Sequence, residues 1–295
     1  MKSKILITAL FAAALLNAAC SKDTKTEPED SNRLQITVSI LPLQYLAERI
    51  GGDRVTVQVL IGPGQSPHTY EPTPRQMADL DKASLFVLAG VPYETSLRPR
   101  LMAAFPNLTY LSLASELSEF EPHDHGENKA GHDELDPHSW LDPRQTAHQA
   151  ALLAARLSSL APKDSTYFAA NLNQLHAELA DLDTQLAAAF ANVPRKRFYV
   201  YHPAYGWLAD RYGLTQVAIE HEGKEPSPAR LATIIAQAQA DSVHTIFVQQ
   251  QIAQPSARAV ADAVGARLVV VDPLAPNYLE NLRSLALAIE TELRR

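Results

Sequence analysis

Cysteine is nearly absent: Cys20 is the single one in 295 residues. An internal disulfide is therefore excluded, and so are zinc motifs built from paired thiolates. A basic excess is lacking too. There are 26 Lys and Arg against 33 Asp and Glu, a formal net charge of −7, and no basic stripe. A nucleic-acid partner is not expected from such a balance. No HExxH helix of the zinc-hydrolase type is present, and no internal sequence repeat. What remains is ordinary globular material, 46% hydrophobic and 20% charged, long enough for one large domain or two of usual size. The mild acidic excess suits a protein that binds cations.

The first 19 residues differ from the rest. Lys2 and Lys4 form a short basic region, and an apolar run follows over residues 5–16. It is too short to span a membrane as a mature helix and reads as an export signal. Asn17-Ala18-Ala19-Cys20 then reads as a lipoprotein processing site, with Cys20 as the acylated first residue of the mature chain. Asn17 stands where a large aliphatic residue is usual. The polar stretch SKDTKTEPEDSN up to residue 32 has no apolar period and reads as a tether. The expected outcome is a protein held at a membrane surface, outside the cytoplasm.

From residue 34 the pattern alternates between β-branched runs of four to eight residues and helical stretches. Strands are expected at 34–41, 54–61, 85–89 and 109–113, and again at 198–201, 214–219, 245–249 and 267–271. Helices are expected at 43–50, 75–82, 204–212, 227–240, 255–264 and 276–295, with Ser227 and Pro228 in capping positions. Such alternation argues for an α/β fold, with parallel sheets covered by helices. In the middle lie two long helical runs, 143–160 and 163–191, interrupted by Ala161-Pro162. The second has neither Pro nor Gly and is a candidate strut between two lobes. The expected organisation is a signal over 1–19, a tether over 20–33, an N-terminal lobe over 34–160, a linking helix over 161–193 and a C-terminal lobe over 194–295.

The chemistry-bearing residues are mostly histidines, ten in all. His148 and His176 lie inside long helices, and His244 opens a strand; these read as surface or packing residues. His68 follows the second strand in a Pro- and Gly-rich loop, His138 precedes a helix in DPHSWLDP, and His202 directly follows a strand. Asp272 follows the last strand. In parallel α/β sheets ligands gather beyond the carboxyl ends of the strands. These four occupy equivalent positions, two from each lobe, but from spacing alone they read as unrelated turn residues, because separations of roughly 65 residues match no local zinc motif. His123, His125 and His132 fall in an acidic segment, EFEPHDHGENKAGHDELD. It reads either as an auxiliary metal collector or as a plain solvated insertion.

Several phrases carry a family likeness: PHTYEPTP at 67–74, DPHSWLDP at 136–143, HPAYGWLADRYGL at 202–214, EGKEPSPARL at 222–231 and VVDPL at 270–274. The chain from about residue 34 to the end resembles the zinc-type solute-binding proteins of bacterial metal ABC importers, the cluster A-I family. That resemblance implies two α/β lobes joined by a rigid helix, a metal site in the cleft between them and a membrane permease as partner. It assigns the ligands to His68, His138, His202 and Asp272, and the transported ion to Zn²⁺. Pro203 departs from the acidic residue that many relatives carry after the third histidine, and His221 beside Glu220 reads as a bystander near the cleft. Manganese-type relatives place a carboxylate where His202 stands, and an N₃O donor set suits tetrahedral Zn²⁺ better than Mn²⁺. Mn²⁺ or Fe²⁺ binding within the same superfamily is the alternative. A secreted zinc hydrolase using Glu71 or Glu220 as general base, and an adhesin-like surface lipoprotein, are more remote ones. A monomer is expected, and no enzyme activity.

Overall fold

The computed structural model describes residues 33–114, 136–220, 224–251 and 255–295. The first sheet comprises β1 (Leu34–Val38), β2 (Val55–Val59), β3 (Leu85–Leu88) and β4 (Thr109–Ser112). All its pairings are parallel, in the order β2-β1-β3-β4. β3 has the sequence LFVL with every residue buried, as a strand covered on both faces requires. The second sheet comprises β5 (Arg197–Val200), β6 (Thr215–Ala218), β7 (Thr245–Val248) and β8 (Arg267–Val270). It is parallel too, in the order β6-β5-β7-β8. The two sheets thus share one strand order although no sequence repeat announces it.

The helices begin in a recurring way. α2 (Pro74–Leu80), α4 (Pro143–Leu160) and α7 (Pro228–Ala240) each place proline at the first helical position. Each follows a capping side chain: Thr73, Asp142 and Ser227, which accept hydrogen bonds from the backbone N–H of Gln76, Arg144 and Arg230. Proline costs nothing there, since its missing N–H would be unpaired in any case. α3 (Pro92–Ala104) is the helix that apolar periodicity does not announce. Its interior carries Pro99, ordinarily a helix breaker. It forms because Tyr93, Glu94 and Leu101 are buried against the rest of the half. The remaining helices are α1 (Leu41–Gly51), α6 (Gly206–Arg211), α8 (Pro255–Val264) and α9 (Tyr278–Leu293).

α5 (Ser165–Ala191) is the strut. Its 27 residues extend about 40 Å at ~1.5 Å per residue. One stripe, Phe168, Leu175, Leu179, Leu182, Leu186 and Phe190, is buried and packs on α4, α1 and α9. Paired hydrogen bonds hold it to both halves. Arg49 of α1 grips Glu178 at 2.7 and 2.8 Å, and Arg211 of α6 grips Asp183 at 2.6 and 3.1 Å. Forked arginine–carboxylate pairs of this kind fix geometry as well as charge. The larger apolar core runs without a break from β1 and β3 through α4 and α5 to Phe198, Phe247 and α9. A smaller core lies under the other face of the second sheet, around Tyr199, Ile219 and Ile246. Residues 33–295 form one compact unit.

Candidate metal centre

The carboxyl ends of both sheets open on one cleft. Its walls include Ser66, Pro67 and His68 after β2, Val91 and Pro92 after β3, and His202 after β5. Gln249 and Gln251 after β7, Pro273 and Leu274 after β8, and His138 and Trp140 ahead of α4 complete it. Polar groups at strand ends and apolar residues between them are what a ligand site in this fold class requires.

His68 lies in the middle of the 62–73 loop. The Oγ of Ser66 accepts from its backbone N–H at 3.3 Å. The loop is tied back to its own half: Tyr70 donates to Gln76 Oε1 at 2.9 Å, and Gln76 Nε2 donates to Leu60 O at 2.8 Å. The Tyr70 ring also meets Tyr93 edge-on. His138 opens a single tight turn, Ser139–Leu141. Asp136 Oδ1 accepts from the His138 backbone N–H at 3.0 Å and lies 2.6 Å from its Nδ1. His202 is 6% exposed, and its Nδ1 lies 2.6 Å from Oε1 of Glu220, itself 3% exposed. A carboxylate beside Nδ1 makes that nitrogen the donor and leaves the Nε2 lone pair facing outward.

The Nε2 atoms then converge. His202 Nε2 is 3.4 Å from His68 Nε2 and 3.3 Å from His138 Nε2. Nitrogens bound at about 2.0–2.1 Å at the corners of a tetrahedron stand ~3.3–3.4 Å apart. Two of the three pairs therefore already have the spacing of a zinc coordination edge. His68 has no carboxylate on its ring. Burial first, then the neighbouring imidazole of His202, pushes its pKa down to about 4, with Glu220 opposing and His138 adding to the fall. The residue as a whole is nevertheless exposed. The neutral imidazole is the form that can donate to a metal.

Asp272 follows β8, and its Oδ1 is engaged with its own neighbourhood. It accepts from Gln251 Nε2 and from the Leu274 backbone N–H, each at 2.9 Å. Its own carbonyl accepts from Asn281 Nδ2 at 2.7 Å. The structure thus brings His202 beside both His68 and His138 and leaves Asp272 bonded to Gln251 and Leu274. His176 bonds the Ala147 carbonyl through Nε2, away from the cleft. His123, His125, His132, His221 and Cys20 lie outside the described residues. Sequence reasoning did not assign Asp136 or Trp207 a part in the site, and weighed Glu220 only as a general base or bystander. A carboxylate two residues before a histidine is a usable local signal for Asp136. Glu220 lies 18 residues from its partner and has none.

Comparison with known proteins agrees in extent with the architecture. The family model described as "ZnuA: Zinc-uptake complex component A periplasmic" matches residues 36–292. The zinc-binding lipoprotein AdcA of Streptococcus pneumoniae is 29% identical over 282 residues, 92% of this chain and 55% of AdcA. The chain thus spans about half the length of these AdcA relatives. The high-affinity zinc uptake system protein ZnuA of Bacillus subtilis is 31% identical over 276 residues, 90% of this chain and 86% of that protein. A crystal structure of ZnuA superposes with a TM-score of 0.81 at 35% identity, covering 88% of this chain and 99% of the other. The match begins within β1 and ends in the last turn of α9, so it takes in both sheets, the strut and every histidine of the cleft: the chain belongs to the family of zinc-uptake complex component A.

Proposed function

We propose that this protein captures Zn²⁺ outside the cytoplasm and delivers it to an ABC-type metal importer, as a monomer held to the membrane by lipid on Cys20. The observation that carries the reading is the meeting of the His68, His138 and His202 Nε2 atoms at 3.3–3.4 Å, with carboxylates on two of the Nδ1 atoms. Neutral imidazoles at this spacing can turn their Nε2 lone pairs to one cation. Three imidazoles favour Zn²⁺ over the oxygen-preferring Mn²⁺. The names of the AdcA and ZnuA relatives support the same ion.

Asp272 is the fourth ligand in this proposal. It reaches the ion by exchanging its bonds to Gln251 and Leu274 for a bond to the metal. No catalytic step is proposed. Glu220 is committed to His202, and Glu71 lies exposed on its loop. Residues 1–19 serve as export signal and 20–33 as tether. The segment 161–193 links the halves 34–160 and 194–295.

The decisive experiment is elemental analysis of protein purified without added metal, followed by competition between Zn²⁺ and Mn²⁺. About one zinc per chain, not displaced by excess Mn²⁺, is expected from an N-rich tetrahedral site. Retention of manganese or iron in its place would overturn the zinc assignment.

A further inference from the structure

His138 precedes the strut in the chain and so belongs by order to the N-terminal half. The turn that carries it is nevertheless hydrogen-bonded on two sides, to α4 of its own half and to the C-terminal half. The indole N–H of Trp207, in α6, donates to the Asp136 carbonyl at 2.9 Å. The indole N–H of Trp140 donates to the Pro273 carbonyl at 2.9 Å, one residue beyond Asp272. Tyr278 of α9 donates to the Trp140 carbonyl at 2.8 Å, and Thr146 of α4 reaches the same oxygen at 2.9 Å. Trp140, Tyr278 and Trp207 are 1%, 2% and 8% exposed, so these bonds are shielded from competing water.

Asp136 is therefore held from both sides. Its carbonyl is fixed by Trp207 of the C-terminal half, while its carboxylate fixes both the backbone and the ring of His138. We propose that Trp207 is a positioning residue for His138, acting through Asp136, and that the two indoles tie the His138 turn to the C-terminal half. This rests on the zinc reading above and extends it. The placement of an imidazole that belongs by chain order to the N-terminal half thus depends on an indole of the C-terminal half. The chain's only two tryptophans are both spent on this attachment.

The test is a double-mutant cycle read by zinc competition and by the visible spectrum of the Co²⁺-substituted protein. Trp207→Phe keeps the ring and removes the N–H. In the otherwise unchanged protein it should weaken zinc binding ~10-fold, the low end for losing a supporting partner of a metal ligand, and shift the Co²⁺ bands. In a His138→Ala background the same substitution should change neither. Equal losses in both backgrounds, or no loss and no spectral shift in the first, overturn the proposal. A second measurement needs no variant: the Trp207 indole N–H should be protected from hydrogen exchange in the metal-free chain, and free exchange there overturns it too. Failure of the zinc reading shows differently, as absence of zinc binding by the unsubstituted protein.

Discussion

The imidazoles at the cleft differ in how firmly each is held. His202 is buried and bonded to a buried carboxylate, His138 is braced by Asp136, and His68 relies on its loop and on low basicity. His202 is also the shared neighbour, within 3.4 Å of both other Nε2 atoms. His202→Ala is expected to cost more zinc affinity than the ~10–100-fold of a lost supporting partner. His148→Ala, on α4 and outside the cleft walls, should cost nothing measurable. Equal losses in a zinc competition assay would remove the assignment. His68, His138 and His202 were identifiable in the sequence because they sit beside strand ends or helix starts and inside family phrases. The Glu220 brace was not, since Glu220 meets His202 only when β5 and β6 lie side by side.

At the scale of elements, the turn after β3 carries an unusual acid. Glu94, near the start of α3, accepts from the backbone N–H of Ala89 at 3.0 Å and of Gly90 at 2.8 Å. It fixes the segment that brings Val91 and Pro92 to the cleft. Gly90 has a φ of 89°, and a Cβ there would lie 2.4 Å from Cβ of Ala114, so no other residue fits without strain. Burial raises the Glu94 pKa to about 7, outweighing the hydrogen bonds from Gly90, Ser39 and Ala89. The folded state then holds this proton more tightly than the unfolded chain, whose carboxyl titrates near 4.5. Stability from this group is full below about pH 4.5, falls as pH rises, and levels off above about 7. Glu94→Gln should remove up to ~3 kcal/mol of that decline, read as a flatter plot of denaturation midpoint against pH for the metal-free protein. Superimposable slopes for the two proteins would refute it. α3 itself shows where periodicity fails: Pro99 marks a breaker locally, and only burial of Tyr93 and Leu101 against the half overrides it.

For the whole molecule, the arrangement that matters is that both sheets, with the same strand order, present their carboxyl ends to one cleft. α5 maintains this by gripping α1 with Arg49–Glu178 and α6 with Arg211–Asp183. The continuous core through α4, α5 and α9 argues against a loose hinge between the halves. The histidine-bearing segment before the DPHSWLDP phrase is not needed for this construction. Deleting residues 120–135 should leave the high-affinity zinc site at wild-type strength, while any weaker additional binding disappears. Loss of all zinc binding on that deletion would transfer the site to the loop.

Local sequence was enough to determine the α/β alternation, the proline-led helix starts, the unbroken α5 and the candidate donors, because each depends on neighbours a few residues away. The family phrases added the metal and the pairing of lobes. The tertiary structure alone decided which carboxylate braces which imidazole, that Asp272 bonds Gln251 rather than a ring, and that the His138 turn is anchored to the half that follows it in the chain. Those outcomes join residues 18, 21 and 71 positions apart. Contacts of that range are set by how sheets and helices pack, and no local pattern encodes them.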